Sequence, residues 1–488
     1  MVPLPLANPD DSSLLNDNRL RCDDMGPLSI SPHVVAQRRA DGAYIAYHSL
    51  FGNLSVLDAE LADSLAALRG ASGSFESFAN ALGADVARAL FGAYYLAAAH
   101  EERAIAQTWL AERRAAAPSG RYLGGLQITS SNACNFSCGY CFADSSDRRS
   151  PERQAGAETI NVSFDVACDA IDKVLDTARR HGKKRIGVKF LGREPLVNFR
   201  VIDRLLDRYS TDEVAWSLTT NGSLVTDAIA RRLAAVGARV VVSIDGPPET
   251  NDVLRVVKSS SCGTQSAHAL AVRGVQALVT AGAHASVSAV LSSRTNFATM
   301  PDFLATVREL GCRELEFTLA MQTVTLRAQS RFADAAGLAN SLATLYAQAR
   351  ELGLFVSGDW IEPFHAIIAN HKFRDEALMA RPQGVKCQAT EHQLSLEPNG
   401  DFFPCRAMSF HYGNLSRWED VLASEAYRQV VMRTYFAVPA CHGCALEGHC
   451  QGTCLGSLEE ASGDIYSPQA HYCTVYRETT NLLLQQMT

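Results

Sequence analysis

Three cysteines share one short loop, Cys134-Asn135-Phe136-Ser137-Cys138-Gly139-Tyr140-Cys141. Their spacing lets three thiolates reach three irons of a cubane cluster and leaves the fourth iron without a protein ligand. A structural zinc site prefers four ligands, and no fourth Cys or His stands nearby. A zinc loop borrowing a distant ligand is the alternative. Seven more cysteines crowd toward the C-terminus. Twelve residues separate Cys387 from Gly400, and four more precede Cys405. Then come Cys441-x2-Cys444-x5-Cys450-x3-Cys454 and, 18 residues on, Cys473. Cluster ligation suits a loop-rich segment with little core of its own, with a zinc-ribbon array as the competing reading.

These ten belong to a total of 14 cysteines in 488 residues. Of the other four, Cys168 and Cys312 fall in or beside helical patterns and read as core thiols, whereas Cys22 and Cys262 lie in loop-like sequence. The N-terminus has no basic and apolar signal pattern, so a cytoplasmic setting with reduced thiols is expected. Metal ligation then accounts for clustered cysteines better than disulfides do. The balance of 45 basic and 52 acidic residues argues against a nucleic-acid-binding surface, and no long apolar run predicts a membrane span.

Strand–helix alternation must position the first loop. Candidate strands are Leu126–Ser130, Ile186–Leu191, Ala215–Thr220, Val240–Ile244, Ser286–Leu291 and Leu315–Leu319, with amphipathic helical runs between them. Six such units imply a parallel sheet, either a partial barrel or a doubly wound sheet, with ligands at the carboxyl ends of the strands. The chain divides into an arm at 1–27, a small α+β unit at 28–100, a solvated helical linker at 101–120, the α/β unit at 121–360 and a loop-rich segment at 361–488. In the small unit, strands at Tyr44–Leu50 and Leu54–Leu57 flank the turn Phe51-Gly52-Asn53. Asp58 caps a helix that presents Leu61, Leu65 and Leu68.

The first cysteine loop resembles the C-x3-C-x-aromatic-C signature of the radical S-adenosylmethionine (radical SAM) family, with Tyr140 as the aromatic. The resemblance implies a partial (β/α)6 TIM-like barrel. It also implies a 4Fe-4S cluster whose open iron binds S-adenosylmethionine (SAM), and a 5′-deoxyadenosyl radical that abstracts substrate hydrogen. Phe190-Leu191-Gly192-Arg193-Glu194-Pro195 resembles the family's Gly-Gly-Glu-Pro turn, which grips the SAM amino group; Arg193 replaces the second glycine. Tyr140, Gly192, Glu194, Asn221 and Ser243 are the cofactor-binding residues this resemblance implies.

The C-terminal seven resemble the SPASM motif, which binds two auxiliary 4Fe-4S clusters, giving three clusters in all. By position, Cys441, Cys444, Cys450 and Cys473 would hold one auxiliary cluster, and Cys387, Cys405 and Cys454 the other. The latter lacks a fourth cysteine, leaving an open iron or a ligand such as Glu391, His392 or Asp401. Sulfatase-maturing relatives place an Asp after the second SPASM cysteine, where this chain has Arg406.

The unit at 28–100 resembles the winged-helix-like element that binds leader peptides by adding a strand to a sheet edge. The implied function is maturation of a ribosomally made peptide, forming a carbon–carbon, ether or thioether crosslink. The implied partners are the precursor peptide and an electron donor such as flavodoxin or ferredoxin. Alternatives are a sulfatase-maturase-like or small-molecule radical enzyme and a zinc-binding interaction protein. Asp245 and Asp359, at strand ends, are the candidate catalytic carboxylates.

Overall fold

The computed structural model describes residues 26–258, 265–320, 334–370, 387–391 and 393–487. Most of the expected arm, Cys22, Cys262 and His392 lie outside the described residues.

Seven parallel strands form the main sheet: Gly125–Thr129, Ile186–Leu191, Val214–Thr220, Arg239–Ser243, His284–Leu291, Glu314–Leu319 and Phe355–Ser357. They lie side by side in chain order. A doubly wound sheet reverses direction partway, so unreversed order identifies a partial barrel. Alternation explains its two faces. Ile186, Val188 and Phe190 turn toward the helices and are buried, as are Val214, Trp216 and Leu218 on the next strand. The intervening Lys189, Ser217, Thr219, Ser243 and Ser288 are only half-buried, and Glu316 is exposed. A packed barrel fills its interior with branched apolar side chains; this interior is polar and only partly buried.

The helices carry their own start and stop chemistry. Phe164–Arg180 begins where the Ser163 hydroxyl accepts from the Val166 amide at 3.2 Å, and it ends on Arg179 and Arg180. Both features complement the helix dipole. Ala167, Ala170, Ile171 and Val174 form its buried stripe.

The sheet does not stop at the barrel. Gln393–Leu396 pairs parallel with Gly125–Thr129, and Asp401–Phe403 and Gly413–Asn414 extend it antiparallel to ten strands. The C-terminal segment therefore has an apolar core after all. Phe402, Met408, Tyr412, Trp418, Leu446 and Tyr476 join the barrel's own core residues in one continuous cluster.

The N-terminal unit holds a three-stranded antiparallel sheet, Val34–Arg38, Tyr44–His48 and Gly52–Leu57, with helices Ala59–Ala67, Phe75–Leu82 and Ala84–Gly92. Asp58 accepts from the Leu61 amide at 2.7 Å, the cap read from the sequence. The central strand is buried on both faces. Ala46 meets the unit's own helices, while Ile45 and Tyr47 enter the main core.

The helix Glu101–Ala116, expected to be solvated, is embedded instead. Glu102, Ala106, Trp109 and Arg113 are buried, and Trp109 packs with Phe51, Tyr94 and Phe436. Its charges are used internally: Arg113 donates to the carbonyls of Val431 and Thr390, and Arg103 pairs with Glu447 at 2.8 Å. No helix among the described residues is long and apolar enough to cross a membrane.

Candidate functional site: cysteine groups at the barrel mouth

The first cysteine loop follows the first barrel strand and is built into a ribbon. Phe136–Cys138 pairs antiparallel with Arg255–Val257, which sits beyond the fourth barrel strand. Asp245 anchors that ribbon. Its carboxylate accepts two bonds from Arg255 at 2.9 Å and one from the Val290 amide at 2.9 Å, and the Tyr140 hydroxyl also donates to it. Burial works against the Arg255 cation, but Asp245 and Tyr140 hold its pKa above the ordinary value. Asp245, one of the two candidate catalytic carboxylates, is thus engaged in clamping the loop.

The expected SAM turn lies against this loop. Gly192 has φ 143°, and a Cβ there would sit 2.8 Å from the Ser131 carbonyl oxygen. Glu194 is fully buried, accepting from Thr220 Oγ1 at 2.8 Å and from the amides of Leu196 and Asn221 at 3.0 and 2.8 Å. Burial raises its pKa. The side chain therefore ties the second strand end to the third. Asn221 Nδ2 reaches Asn135 Oδ1 at 2.9 Å, linking the third strand end to the cysteine loop. Ser243 faces the half-buried barrel interior, as alternation with Val242 requires.

Arg193 points away from the turn, into an ion-pair lattice. It pairs with Asp144 and, at 2.9 Å, with Asp147, both on the helix Phe142–Arg149 that follows Cys141. Arg406 reaches the other Asp147 oxygen at 2.6 Å. Arg153 completes the set, pairing with Glu397 at 3.1 Å and donating to the carbonyls of Met408 and Cys405 at 2.6 and 3.1 Å. Arg406, which stands where sulfatase-maturing relatives have an Asp, thus connects the auxiliary segment to the first cysteine loop.

The seven C-terminal thiols separate into two groups through their mutual electrostatics. Burial pushes the Cys387 thiol up to about 11, with a further push from Cys454. Cys405 is raised by burial and then by Cys387 and Cys454. In the other group, burial first and then Cys473, Cys441 and Cys444 raise Cys450. Among the described residues, no three His, Cys, Asp or Glu side chains converge where a single ion could sit. Of the three candidate extra ligands, Asp401 is occupied by His411 at 3.3 Å and Asn414 at 2.8 Å. Glu391's side chain, like His392, lies outside the description.

Asp359 follows the seventh strand and lines a cavity of about 280 Å³ with Glu316, Glu362, Gln388, His449 and Cys450. Tyr476 donates to its Oδ2 at 2.5 Å, while Oδ1 is buried without a hydrogen-bond partner. Burial raises its pKa to about 6. Asp359 therefore stands beside auxiliary thiols with a free acceptor oxygen.

Comparison with known proteins matches residues 128–291 to the Radical SAM superfamily and residues 387–445 to the SPASM iron–sulfur cluster-binding domain. The chain is a radical SAM/SPASM enzyme. It is 25% identical to the radical SAM cyclopropyl synthase TigE of Paramaledivibacter caminithermalis, covering 94% of this chain and 96% of that protein. It is also 25% identical to the mycofactocin maturase MftC of Mycobacterium tuberculosis, over 67% of this chain and 76% of MftC. Two solved structures share its fold. AdoMet-bound anSMEcpe has TM-score 0.57 at 18% identity and covers 73% of this chain and 95% of its own. Streptococcus suis SuiB bound to its precursor peptide SuiA has TM-score 0.51 at 18% identity and covers 91% and 99%.

The thiols of this radical SAM/SPASM enzyme suit iron–sulfur ligation. All the described cysteines are free, and burial pushes the Cys138 thiol up to about 12, so its ionised form needs a nearby cationic centre. Cys312 and Cys168 instead pack in or against the apolar core. Sequence reasoning missed Arg153 and Arg255 and the ion-pair role of Arg406, because a buried arginine has no spacing signature.

Gly192→Ala would drive a methyl group against the Ser131 carbonyl in a backbone region suited to glycine. The strain should weaken SAM affinity by about tenfold or more. Anaerobic equilibrium dialysis of variant loaded to wild-type iron content checks this; unchanged affinity contradicts the tight apposition of turn and loop.

Proposed function

We propose that this enzyme matures a ribosomally made precursor peptide by abstracting a hydrogen and closing a new bond within it. The observation that carries this reading is one chain's combination of a sheet with an available edge, a polar barrel interior and thiol groups beside the barrel mouth. The likeness to a cyclopropyl synthase along nearly the whole chain favours carbon–carbon bond formation over ether or thioether formation. Closure of a three-membered carbon ring is the form that the relative's name suggests.

When bound, three 4Fe-4S clusters and SAM supply a radical able to abstract an unactivated hydrogen and an acceptor for the electron released on bond formation. The SAM cluster uses Cys134, Cys138 and Cys141; the auxiliary ones use Cys387, Cys405 and Cys454, and Cys441, Cys444, Cys450 and Cys473. A flavodoxin or ferredoxin provides the reducing electron.

The chain's own residues do the rest. The Gly52–Leu57 strand is tied at its start by the Asn53 amide to the Asn370 carbonyl at 2.9 Å, and its far end presents Val56, which is 52% exposed. A leader peptide adds a strand along that end. SuiB, whose fold spans most of this chain, is a protein solved with its precursor peptide, which supports the same class of partner. The core peptide then enters the polar interior. The substrate would lose two hydrogens, one as an atom through the chemistry that bound SAM would supply and one as a proton to the Asp359 carboxylate, with the remaining electron passing to an auxiliary cluster.

Val56→Asp places a charge on the proposed docking edge and should raise the peptide KM about tenfold at constant kcat, since edge charges oppose strand addition. An unchanged KM removes leader recognition from this edge. Asp359→Asn should still release 5′-deoxyadenosine while losing most modified peptide. Because the base must be ionised, wild-type peptide modification should fall as pH drops through about 6. Full modification by Asp359→Asn, followed by mass spectrometry, excludes it as proton acceptor.

A further inference from the structure

Arg433, just beyond the helix Glu425–Val431, is 2% exposed. Its Nε donates to the Ile465 carbonyl at 2.7 Å and its Nη2 to the Gln451 carbonyl at 2.8 Å. Gln451 directly follows Cys450, and Gly452 closes over the guanidinium, where an added Cβ would lie 3.5 Å from Nη2. Arg153, Arg255 and Arg406 are buried likewise, and each has a carboxylate partner. Among the described residues, Arg433 has no carboxylate within the 4.0 Å of an ion pair.

Two neutral carbonyls satisfy N–H groups but do not cancel a charge, and a buried cation without a counter-charge is strongly unfavourable. Burial presses the guanidinium toward its neutral form, and Cys441, then Tyr466, Cys387 and Cys450, press it back; the Tyr466 ring centroid lies 5.9 Å from the guanidinium carbon. Those thiols come from both auxiliary groups. Gln388, next to Cys387, lines one cavity with Cys450 and with Gln451, whose carbonyl accepts from Arg433, so among the described residues the sulfur ligands are the groups placed to supply the counter-charge.

We propose that Arg433 is a cation shared by the two auxiliary cluster sites, and that it raises the reduction potential of both. A cubane held by thiolates is a net anion and gains one more negative charge on reduction. A nearby fixed cation favours that reduced form, and the low dielectric of a buried site strengthens the effect. Raised auxiliary potentials suit groups that accept the electron from a substrate radical. Arg433 acts through the sulfur ligands and is a positioning and electrostatic residue, not a catalytic one.

The inference rests on auxiliary clusters being present, which iron analysis and spectroscopy of the wild-type chain establish independently. The test is an anaerobic redox titration of the reconstituted full chain followed by electron paramagnetic resonance. Arg433→Met removes the charge at similar volume, and Arg433→Lys retains it. With all clusters loaded, both auxiliary midpoint potentials should shift downward in Arg433→Met and stay near wild type in Arg433→Lys, while the SAM cluster is unmoved. Unchanged auxiliary potentials in Arg433→Met overturn the proposal. If Arg433→Met fails to hold the two auxiliary clusters, about eight irons, recovery in Arg433→Lys supports the charge role. Equal loss in both variants overturns it, because hydrogen-bond geometry alone would then explain the residue.

Discussion

The first cysteine loop owes its shape to one buried ion pair. Asp245, at the end of the fourth barrel strand, holds Arg255 through both oxygens and also receives the Tyr140 hydroxyl. Arg255 is register partner to Cys138, so the pair sets the outer edge of the loop. Removing one member of such a pair costs about 3–5 kcal/mol, because it strands the other charge away from water. The aromatic in the cysteine signature has a physical task here. Its ring packs beneath the Arg255 guanidinium, 5.5 Å from the centroid, and its hydroxyl completes the carboxylate's shell.

From that anchor, contacts run outward in two directions. Inward, Gly192 rests on Ser131, and Glu194 and Asn221 bind the ends of two strands and the loop together. Across the sheet, Asp147 is held between Arg193 and Arg406, and Arg153 grips the carbonyl of Cys405. The barrel and the auxiliary segment share a sheet, an apolar core and a charge lattice. They behave as one body, with fixed spacing between the cysteine groups. An electron-accepting site needs such a spacing, since a loosely tethered domain would let it drift.

The cysteines and the first six barrel strands were legible because their signals are local: ligand spacing, period-two alternation and helix capping. The seventh strand was not, since Phe355–Ser357 is three residues long and gives alternation no length to register. The pairing of Gln393–Leu396 with Gly125–Thr129 joins segments far apart in the chain, and no local pattern encodes it. Glu102 and Arg113 read as solvated charges because burial of a charge depends on partners contributed by distant segments. The same limit hid the partner of Arg406 and the place of Arg433. Asp245 and Asp359 looked alike as strand-end carboxylates; only three-dimensional partners separate the occupied clamp from the group with an open acceptor oxygen.

Mass mapping of a candidate precursor peptide after anaerobic turnover with the full chain and SAM tests the account most directly. The account predicts a product lighter by two hydrogens in its core segment, with one 5′-deoxyadenosine released per modification. A precursor recovered unmodified while 5′-deoxyadenosine accumulates, with leader intact and all clusters loaded, would contradict it.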